Sequence, residues 1–270
     1  MNLPRLVATD LDGTLLHSDG TVSPRTREVL AELDARGVPV VFTTGRPIRW
    51  MESLWSEVGG HGLAICSNGG IVYDVARRRV RTARAIAPDV LVEVAGEVRQ
   101  AIPGTTFALE KTSGFARETD FLPRLKVNQP PDVPTGPLED LVDETVVKLL
   151  ARHEEIEPEP FWRQVEEIVG PRVVTTWSSV GTLVEISAAG VTKASTLASL
   201  SAGLGVGPDE VIAFGDMPND LPLLEWAGTS FAMDNAHQLV REMADHVAPG
   251  NDDDGVARVL ADVFDLGPGA

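Results

Sequence analysis

The chain has 270 residues, 43% of them hydrophobic, and carries a formal net charge of −17. That length supports a substantial core, in two domains or one large one, and the acidity argues against nucleic acid or an anionic membrane as a partner. A single cysteine, Cys66, excludes an internal disulfide and fits a reducing cytoplasm.

Residues 5–9 are apolar and partly β-branched and predict a buried strand that runs into "DLDGT". Asp10 and Asp12 interrupt the N-terminal apolar stretch, and no run approaches the roughly 18–20 apolar residues of a membrane span. A cytoplasmic location is expected. "SPRTREVLAELDARG" predicts a helix with Ser23 as N-cap, Pro24 in its first turn, Gly37 as its stop and Val29, Leu30 and Leu33 on one face. A strand at 38–43 ends in "TTGR", a helix is expected near 47–58, and a short strand at 62–66 follows. Strand, helix, strand, helix implies a parallel sheet covered on both faces. Cys66 closes the last strand as a small core residue. A cysteine-nucleophile loop would need an arginine six positions on, where Val72 stands.

The rhythm changes after about residue 83. "PDVLVEVAGEVRQAI" is helical, "TTFALE" and "GFARE" form a hairpin, and residues 119–140, with five prolines, read as a loop. "TVVKLLA" is ambiguous by period, though its length and valines favour a strand. "EPFWRQVEEIVG" is an amphipathic helix, and "RVVTTWSS" with "TLVEIS" makes a last hairpin around Val180 and Gly181. The two hairpins supply four strands and the block carries two helices, which reads as an inserted antiparallel sheet with helices on one side. The α/β rhythm returns with a helix from near Thr192, strands at "EVIAFGD" and "GTSFAM", and a closing helix in "DDDGVARVLADVF". A short Gly/Pro tail is expected to lack order.

Three strands thus end in polar, glycine-containing turns: "TDLDGT", "TTGR" and "FGDMPND". In an open parallel sheet, ligands bind at the carboxyl ends of the strands, so these turns should converge. One "DLDG" alone is ordinary turn chemistry. Three such turns and a lysine at a helix start are more than that.

In order and combination, "DLDGTLL", "TTGR", "SNGG", "GVTK", "GDMPNDLPLL", "FAMDNA" and "NDDDGVA" resemble the haloacid dehalogenase superfamily of phosphohydrolases, and within it the Cof-like branch with a type IIB cap. The resemblance implies an α/β fold. Residues 1–83 and 188–270 would form a Rossmann-like parallel-sheet core. Residues 84–187 would form an inserted α+β cap that closes over the crevice, excludes bulk water and selects the substrate. It also implies a Mg²⁺-dependent phosphatase of small phosphorylated metabolites, such as sugar phosphates or cofactor-precursor phosphates. Either a monomer or a homodimer is compatible with it.

The residues allow that chemistry. A phosphate dianion repels nucleophiles, so its transfer needs positioning and charge neutralisation. Asp10, at a strand end, is assigned as the nucleophile that forms an aspartyl-phosphate. Asp12, two residues on, can protonate the leaving alkoxide and then take a proton from water. Thr44 and the amide of Gly45 can donate to phosphoryl oxygens. Thr43 is expected to face the other way by strand alternation. Arg46 reaches either substrate or a partner carboxylate, and Asn219 either the phosphate or a loop carbonyl. Lys193, a cation at a helix N-terminus, conflicts with the helix dipole and so points to an anionic partner such as Asp10 or phosphate. The resemblance implies that a metal ion takes an oxygen of Asp10, the backbone carbonyl of Asp12 and a carboxylate of Asp216, with Asp220 orienting waters or Lys193. Asn68 matches a family position near the site, with a plain turn role as the competing reading.

"RRR" at 77–79 reads as a solvated turn. "DDD" at 252–254 reads as an acidic loop that caps a helix, in a place the resemblance sets near the core. Two rival functions use the same residues. A phosphomutase or phosphotransferase would return the phosphoryl group to a sugar. A non-catalytic phosphate-binding module would have no use for Asp12.

Overall fold

A computed structural model of the chain describes residues 3–52, 54–55, 58, 62–122, 132–177 and 182–267. In chain order its elements are β1 (Leu6–Asp10), α1 (Pro24–Ala35), β2 (Val40–Thr43), β3 (Leu63–Cys66), β4 (Ile71–Asp74), β5 (Arg79–Ala83), α2 (Pro88–Ala101), β6 (Thr106–Lys111), β7 (Gly114–Arg117) and α3 (Leu138–Leu141). There follow β8 (Val146–Arg152), α4 (Pro158–Val169), β9 (Val173–Trp177), β10 (Leu183–Ala188), α5 (Lys193–Gly203), β11 (Val211–Gly215), α6 (Leu221–Trp226), β12 (Thr229–Met233), α7 (Gln238–Met243), β13 (His246–Ala248) and α8 (Gly255–Val263). Short 3-10 turns lie between several of them.

The chain divides into two compact units. The first comprises Met1–Arg46, Met51–Arg81 and Lys193–Ala270. Its strands belong to an eight-stranded sheet of order β13-β12-β11-β1-β2-β3-β4-β5. Strands β13 through β3 in that order are parallel, and β4 runs antiparallel to β3. All five residues of β1 and of β11 are buried. Strands covered on both faces must be apolar throughout, which is why they read as continuous runs. α1 starts where Ser23 Oγ accepts the Thr26 amide at 3.0 Å and stops at Gly37, whose φ is +70°. Its buried face is Thr26, Val29, Leu30 and Leu33, and each large apolar side chain there contributes about 1.5–3 kcal/mol. On one face of the sheet, α5 and α6 add Leu197, Leu223 and Leu224 to a core with Leu6, Ala8, Val41 and Ala213.

The second unit comprises Pro47–Trp50 and Thr82–Thr192. Its antiparallel sheet has the order β7-β6-β8-β10-β9. α2 and α4 cover one face, with Leu91, Val94, Val98, Phe161 and Val165 packed on Phe107, Leu149 and Ile186. The sheet has five strands, the four of the two hairpins and one more. The fifth is the "TVVKLLA" run, which its length and valines favour as a strand and which forms the centre as β8. All seven of its residues are buried, and a strand covered on both faces loses its period of two.

Other expectations need correction. No continuous helix occupies the described part of 47–58: Ile48–Trp50 is a 3-10 turn, followed by turn hydrogen bonds from Trp55 to Met51 and from Val58 to Leu54. The chain changes unit between Trp50 and Met51, so one helix axis does not serve both packing environments. The proline-rich stretch carries the helical turn α3, while its residues 123–131 lie outside the described residues. So do Val180, Gly181 and the last three residues of the tail; the strands flanking that hairpin pair antiparallel, with Val184 opposite Trp177. Among the described residues no helix is long and apolar enough to cross a membrane.

Candidate active site

β1 ends on Asp10, a residue only 5% exposed. The chain then turns at Gly13, whose φ is +75°. A Cβ at this position would stand 2.3 Å from Asp216 Oδ2. Only glycine lets the turn pass so close. The next residue, Thr14, donates from Oγ1 to Asp216 Oδ1 at 2.9 Å. The far end of the chain ties the turn down. Asn235 Nδ2 donates to the Gly13 carbonyl at 2.7 Å, the Asn251 amide donates to Asn235 Oδ1 at 3.0 Å, and Asn251 Nδ2 donates to the Leu16 carbonyl at 2.8 Å.

β11 lies beside β1 and is followed at once by Asp216. The 3-10 turn Pro218–Asp220 folds Asp220 back so that its Oδ2 accepts the amides of Asp216 and Met217, both at 3.1 Å. Gly215 makes room for it, since a Cβ there would lie 2.6 Å from Asp220 Cβ. Asn219 sits partly exposed on the same turn. α5 opens with Lys193, whose Nζ donates to Asp10 Oδ1 at 2.5 Å and to Asp220 Oδ1 at 2.6 Å. Lys193 is 3% exposed, so a solvated surface lysine is excluded. The anionic partner expected from the helix-dipole conflict is present twice over.

Carboxylate oxygens of Asp10, Asp216 and Asp220 lie within 4.8 Å of one another. Burial raises the Asp10 pKa well above the usual carboxylate range; Lys193 opposes this, and Asp220 and Asp216 add to it. Asp216 is pushed up to about 7, first by burial and then by the charge of Asp220, with the Thr14 hydrogen bond opposing. Burial alone would lower the Lys193 pKa, but Asp10 and Asp220 outweigh it and hold the ammonium charged. Three carboxylates against one ammonium leave a formal charge of −2 when all are ionised. A divalent cation with oxygen ligands matches that deficit. Asp10 and Asp216 could hold it. Both Asp220 oxygens are already engaged, by Lys193 and by two amides.

The "TTGR" turn closes the other side of β1. Thr43 is the register partner of Asp10 on β2, and in a parallel pair the two share a face of the sheet. The expectation that Thr43 faces away therefore fails. Thr44 is already beyond the strand, where alternation no longer governs. The Thr44 amide donates to the Ile65 carbonyl at 2.8 Å, and its Oγ1 accepts the Arg46 amide at 3.0 Å across Gly45. Arg46 meets Asp12 in a two-pronged contact, Nε to Oδ2 at 2.8 Å and Nη2 to Oδ1. Of its two expected partners, substrate or carboxylate, the carboxylate is the one seen. The Asp12 side chain is 53% exposed, in contrast to Asp10.

Ser67 and Asn68 both adopt left-handed backbone, with φ of +52° and +54°. The Ser67 amide bonds the Arg46 carbonyl at 3.0 Å, the Asn68 amide bonds the Thr44 carbonyl at 3.1 Å, and Thr196 Oγ1 on α5 bonds the Gly69 carbonyl at 2.9 Å. "SNGG" thus braces the Thr44–Arg46 turn against α5. The acidic loop behaves differently from a helix cap. Asp252 accepts the Ser18 amide at 2.7 Å, and Asp254 pairs with His17 at 2.9 Å and Thr26 at 3.2 Å, without capping α8. No spacing in the sequence singles out Asn235 or Asn251; their only signal is that they stand in "FAMDNA" and "NDDDGVA".

The family model for haloacid dehalogenase-like hydrolases matches residues 7–260. The 5-amino-6-(5-phospho-D-ribitylamino)uracil phosphatase YitU of Bacillus subtilis is 30% identical, over 97% of this chain and 98% of its own. A phosphoglycolate phosphatase of Halorubrum lacusprofundi is 30% identical, over 95% of this chain and 96% of its own. Among solved structures, SMU.1108c of Streptococcus mutans superposes with a TM-score of 0.85 at 22% identity, covering 97% of this chain and 99% of that one. The subclass IIB sugar phosphatase BT4131 superposes with a TM-score of 0.77 at 21% identity, covering 97% and 99%.

Proposed function

The chain belongs to the haloacid dehalogenase-like hydrolase family, and from that premise we propose that it is a Mg²⁺-dependent phosphatase of small phosphorylated metabolites that works through an aspartyl-phosphate on Asp10. The observation that carries this reading is the contrast between two carboxylates two residues apart. Asp10 is buried and held at one oxygen by Lys193. Asp12 is exposed and held by Arg46.

One oxygen of Asp10 stays turned toward Lys193, and the other attacks phosphorus in line with the leaving oxygen. Asp12 gives a proton to the departing alkoxide. It then takes a proton from the water that attacks the aspartyl-phosphate, and inorganic phosphate leaves. Thr44 and Gly45 supply donors to the phosphoryl oxygens, with Asn219 as a further donor. Lys193 keeps Asp10 in place and offsets the charge that gathers beside it. Mg²⁺, held by Asp10, the Asp12 carbonyl and Asp216, would supply the remaining neutralisation of the phosphoryl charge. Asp220 fixes Lys193 and the amides of Asp216 and Met217. We assign residues 84–187 to substrate selection. The named relatives act on a ribitylaminouracil phosphate and on phosphoglycolate, so the substrate sought is a small phosphomonoester of this kind.

The test combines a variant, a chelator and a substrate panel. Asp10→Asn should keep the fold and abolish turnover, and EDTA should remove activity that Mg²⁺ restores. Phosphate release by Asp10→Asn at the wild-type rate would reject the nucleophile assignment, and full activity after rigorous chelation would reject the metal. Free phosphate that accumulates from a sugar phosphate alone separates hydrolysis from mutase or transferase action. Measuring kcat/KM across phosphorylated metabolites then names the substrate.

A further inference from the structure

The turns after β1 and β11 carry the carboxylates of the site, and the loop that follows β12 touches both turns. Asn235 Nδ2 donates to the Gly13 carbonyl at 2.7 Å. Two residues later the His237 amide donates to the Asp216 carbonyl at 2.8 Å. The Gly13 carbonyl and the Thr14 amide belong to one peptide plane. Its other edge is tied as well, because the Thr14 amide donates to the Leu11 carbonyl at 3.3 Å. From that plane the Thr14 hydroxyl reaches Asp216 Oδ1 at 2.9 Å. Asp216 is therefore held at both ends by groups that hang on one loop. His237 holds its carbonyl directly, and Asn235 holds its carboxylate through Gly13 and Thr14.

The direction of the Asn235 amide follows from its partners. Oδ1 accepts the Asn251 amide at 3.0 Å, so the NH2 end faces the Gly13 carbonyl. The reverse orientation would set donor against donor and carbonyl against carbonyl. Asn251 is 7% exposed, and its side chain grips the same turn a second time, at the Leu16 carbonyl, 2.8 Å away. The loop that carries Asn251 is itself fastened, since Asp252 accepts the Ser18 amide at 2.7 Å and Asp254 pairs with His17 at 2.9 Å. All these residues belong to the first unit. Asn235 is exposed, so water can reach the groups it leaves, and its variants should fold.

We propose that Asn235 is a positioning residue that sets the spacing between the Gly13–Thr14 turn and Asp216, and with it the fit of the site to a divalent cation, while Asn251 fixes the direction of its amide. The statement about the cation rests on the phosphatase reading, whereas the bracing of the turn does not.

The experiment uses the full chain. Asn235→Asp keeps an acceptor for the Asn251 amide but sets a carboxylate oxygen against the Gly13 carbonyl. Its added negative charge would by itself tighten the hold on a cation, so position and charge act in opposite directions. Titrated calorimetrically, Mg²⁺ should bind about tenfold more weakly to Asn235→Asp and to Asn235→Ala than to wild type. In the metal-free chain the Thr14 amide should lose hydrogen-exchange protection about tenfold in both variants. Phosphate release from p-nitrophenyl phosphate should need about tenfold more Mg²⁺ for half its maximal rate. Ser230→Ala is the control. It removes two hydrogen bonds between Ser230 Oγ and Asp245 near the start of β12, the strand that leads into the loop. It should lower Tm and leave Mg²⁺ affinity and Thr14 exchange as in wild type. Unchanged Thr14 exchange in both Asn235 variants would overturn the bracing. Mg²⁺ affinity equal to wild type in both, or tighter in Asn235→Asp, would overturn the positioning role, as would an equal weakening in Ser230→Ala. A wild-type chain that binds no Mg²⁺ and releases no phosphate would reject the phosphatase reading and leave the Thr14 exchange to decide the bracing.

Discussion

Gly13→Ala puts the shape of the site to a direct test. The new Cβ would stand 2.3 Å from Asp216 Oδ2, whereas ordinary contact begins at 3.4 Å. Asp216 must therefore retreat by about 1 Å, the difference between those two distances. It does not retreat freely, because Thr14 holds its Oδ1 at 2.9 Å and the His237 amide holds its carbonyl at 2.8 Å. The left-handed φ costs a side-chain-bearing residue about 1–2 kcal/mol, and the overlap adds about 1–3 kcal/mol. A stability loss of about 2–5 kcal/mol follows, readable as a lower midpoint in urea. A displacement of about 1 Å in a group that positions the reaction costs about 100-fold in rate. Phosphate release measured against Mg²⁺ concentration should show kcat/KM down by about that factor, with more Mg²⁺ needed for half-saturation. An alanine variant within about threefold of wild-type kcat/KM and within about 0.5 kcal/mol in stability would refute the reasoning.

Two further outcomes are expected. Lys193→Met leaves Asp10 and Asp220 facing each other without their shared cation, so it should cost about 3–5 kcal/mol in urea unfolding and abolish turnover; a variant as stable as wild type would contradict the pairing. Asp254→Asn probes the acidic loop. Burial raises the Asp254 pKa, but hydrogen bonds from Ser23, His17 and Thr26 outweigh this and lower it overall. A depressed carboxylate contributes stability above its unfolded pKa and loses it as pH falls through the folded value. The asparagine variant should be less stable than wild type at pH 7 by about 1–2 kcal/mol, with the gap closing below about pH 4. A gap that stays constant from pH 7 to pH 3 would show that the charge is not what matters.

The site was more legible in the sequence than the architecture around it, for a local reason. Asp10, Asp12, Gly13, Asp216 and Lys193 stand at turns, where residue type is set by chemistry and backbone geometry rather than by burial. Packing erases such signals. β8 is covered on both faces and lost its period. β4, β5 and β13 are three to five residues long and were not separated from their flanking turns. Alternation does not place Thr43 relative to Thr44, because β2 ends at Thr43 and the chain leaves the strand there. Asn235 and Asn251 act through backbone carbonyls more than 200 residues away in the chain. Nothing in the spacing of an asparagine announces a partner at that distance.

The strand that carries Asp10 is synthesised well before its neighbour β11 and the ammonium that steadies it. Asp10 and Lys193 are separated by 183 residues. At ribosomal rates of about 5–20 residues per second, this is an interval of about 10–40 s. Throughout it, β1 has one flank covered by β2 and the other open, an apolar edge offered to any passing strand. The pocket can assemble only after Lys193, Asp216 and Asp220 have been added to the chain that already carries Asp10.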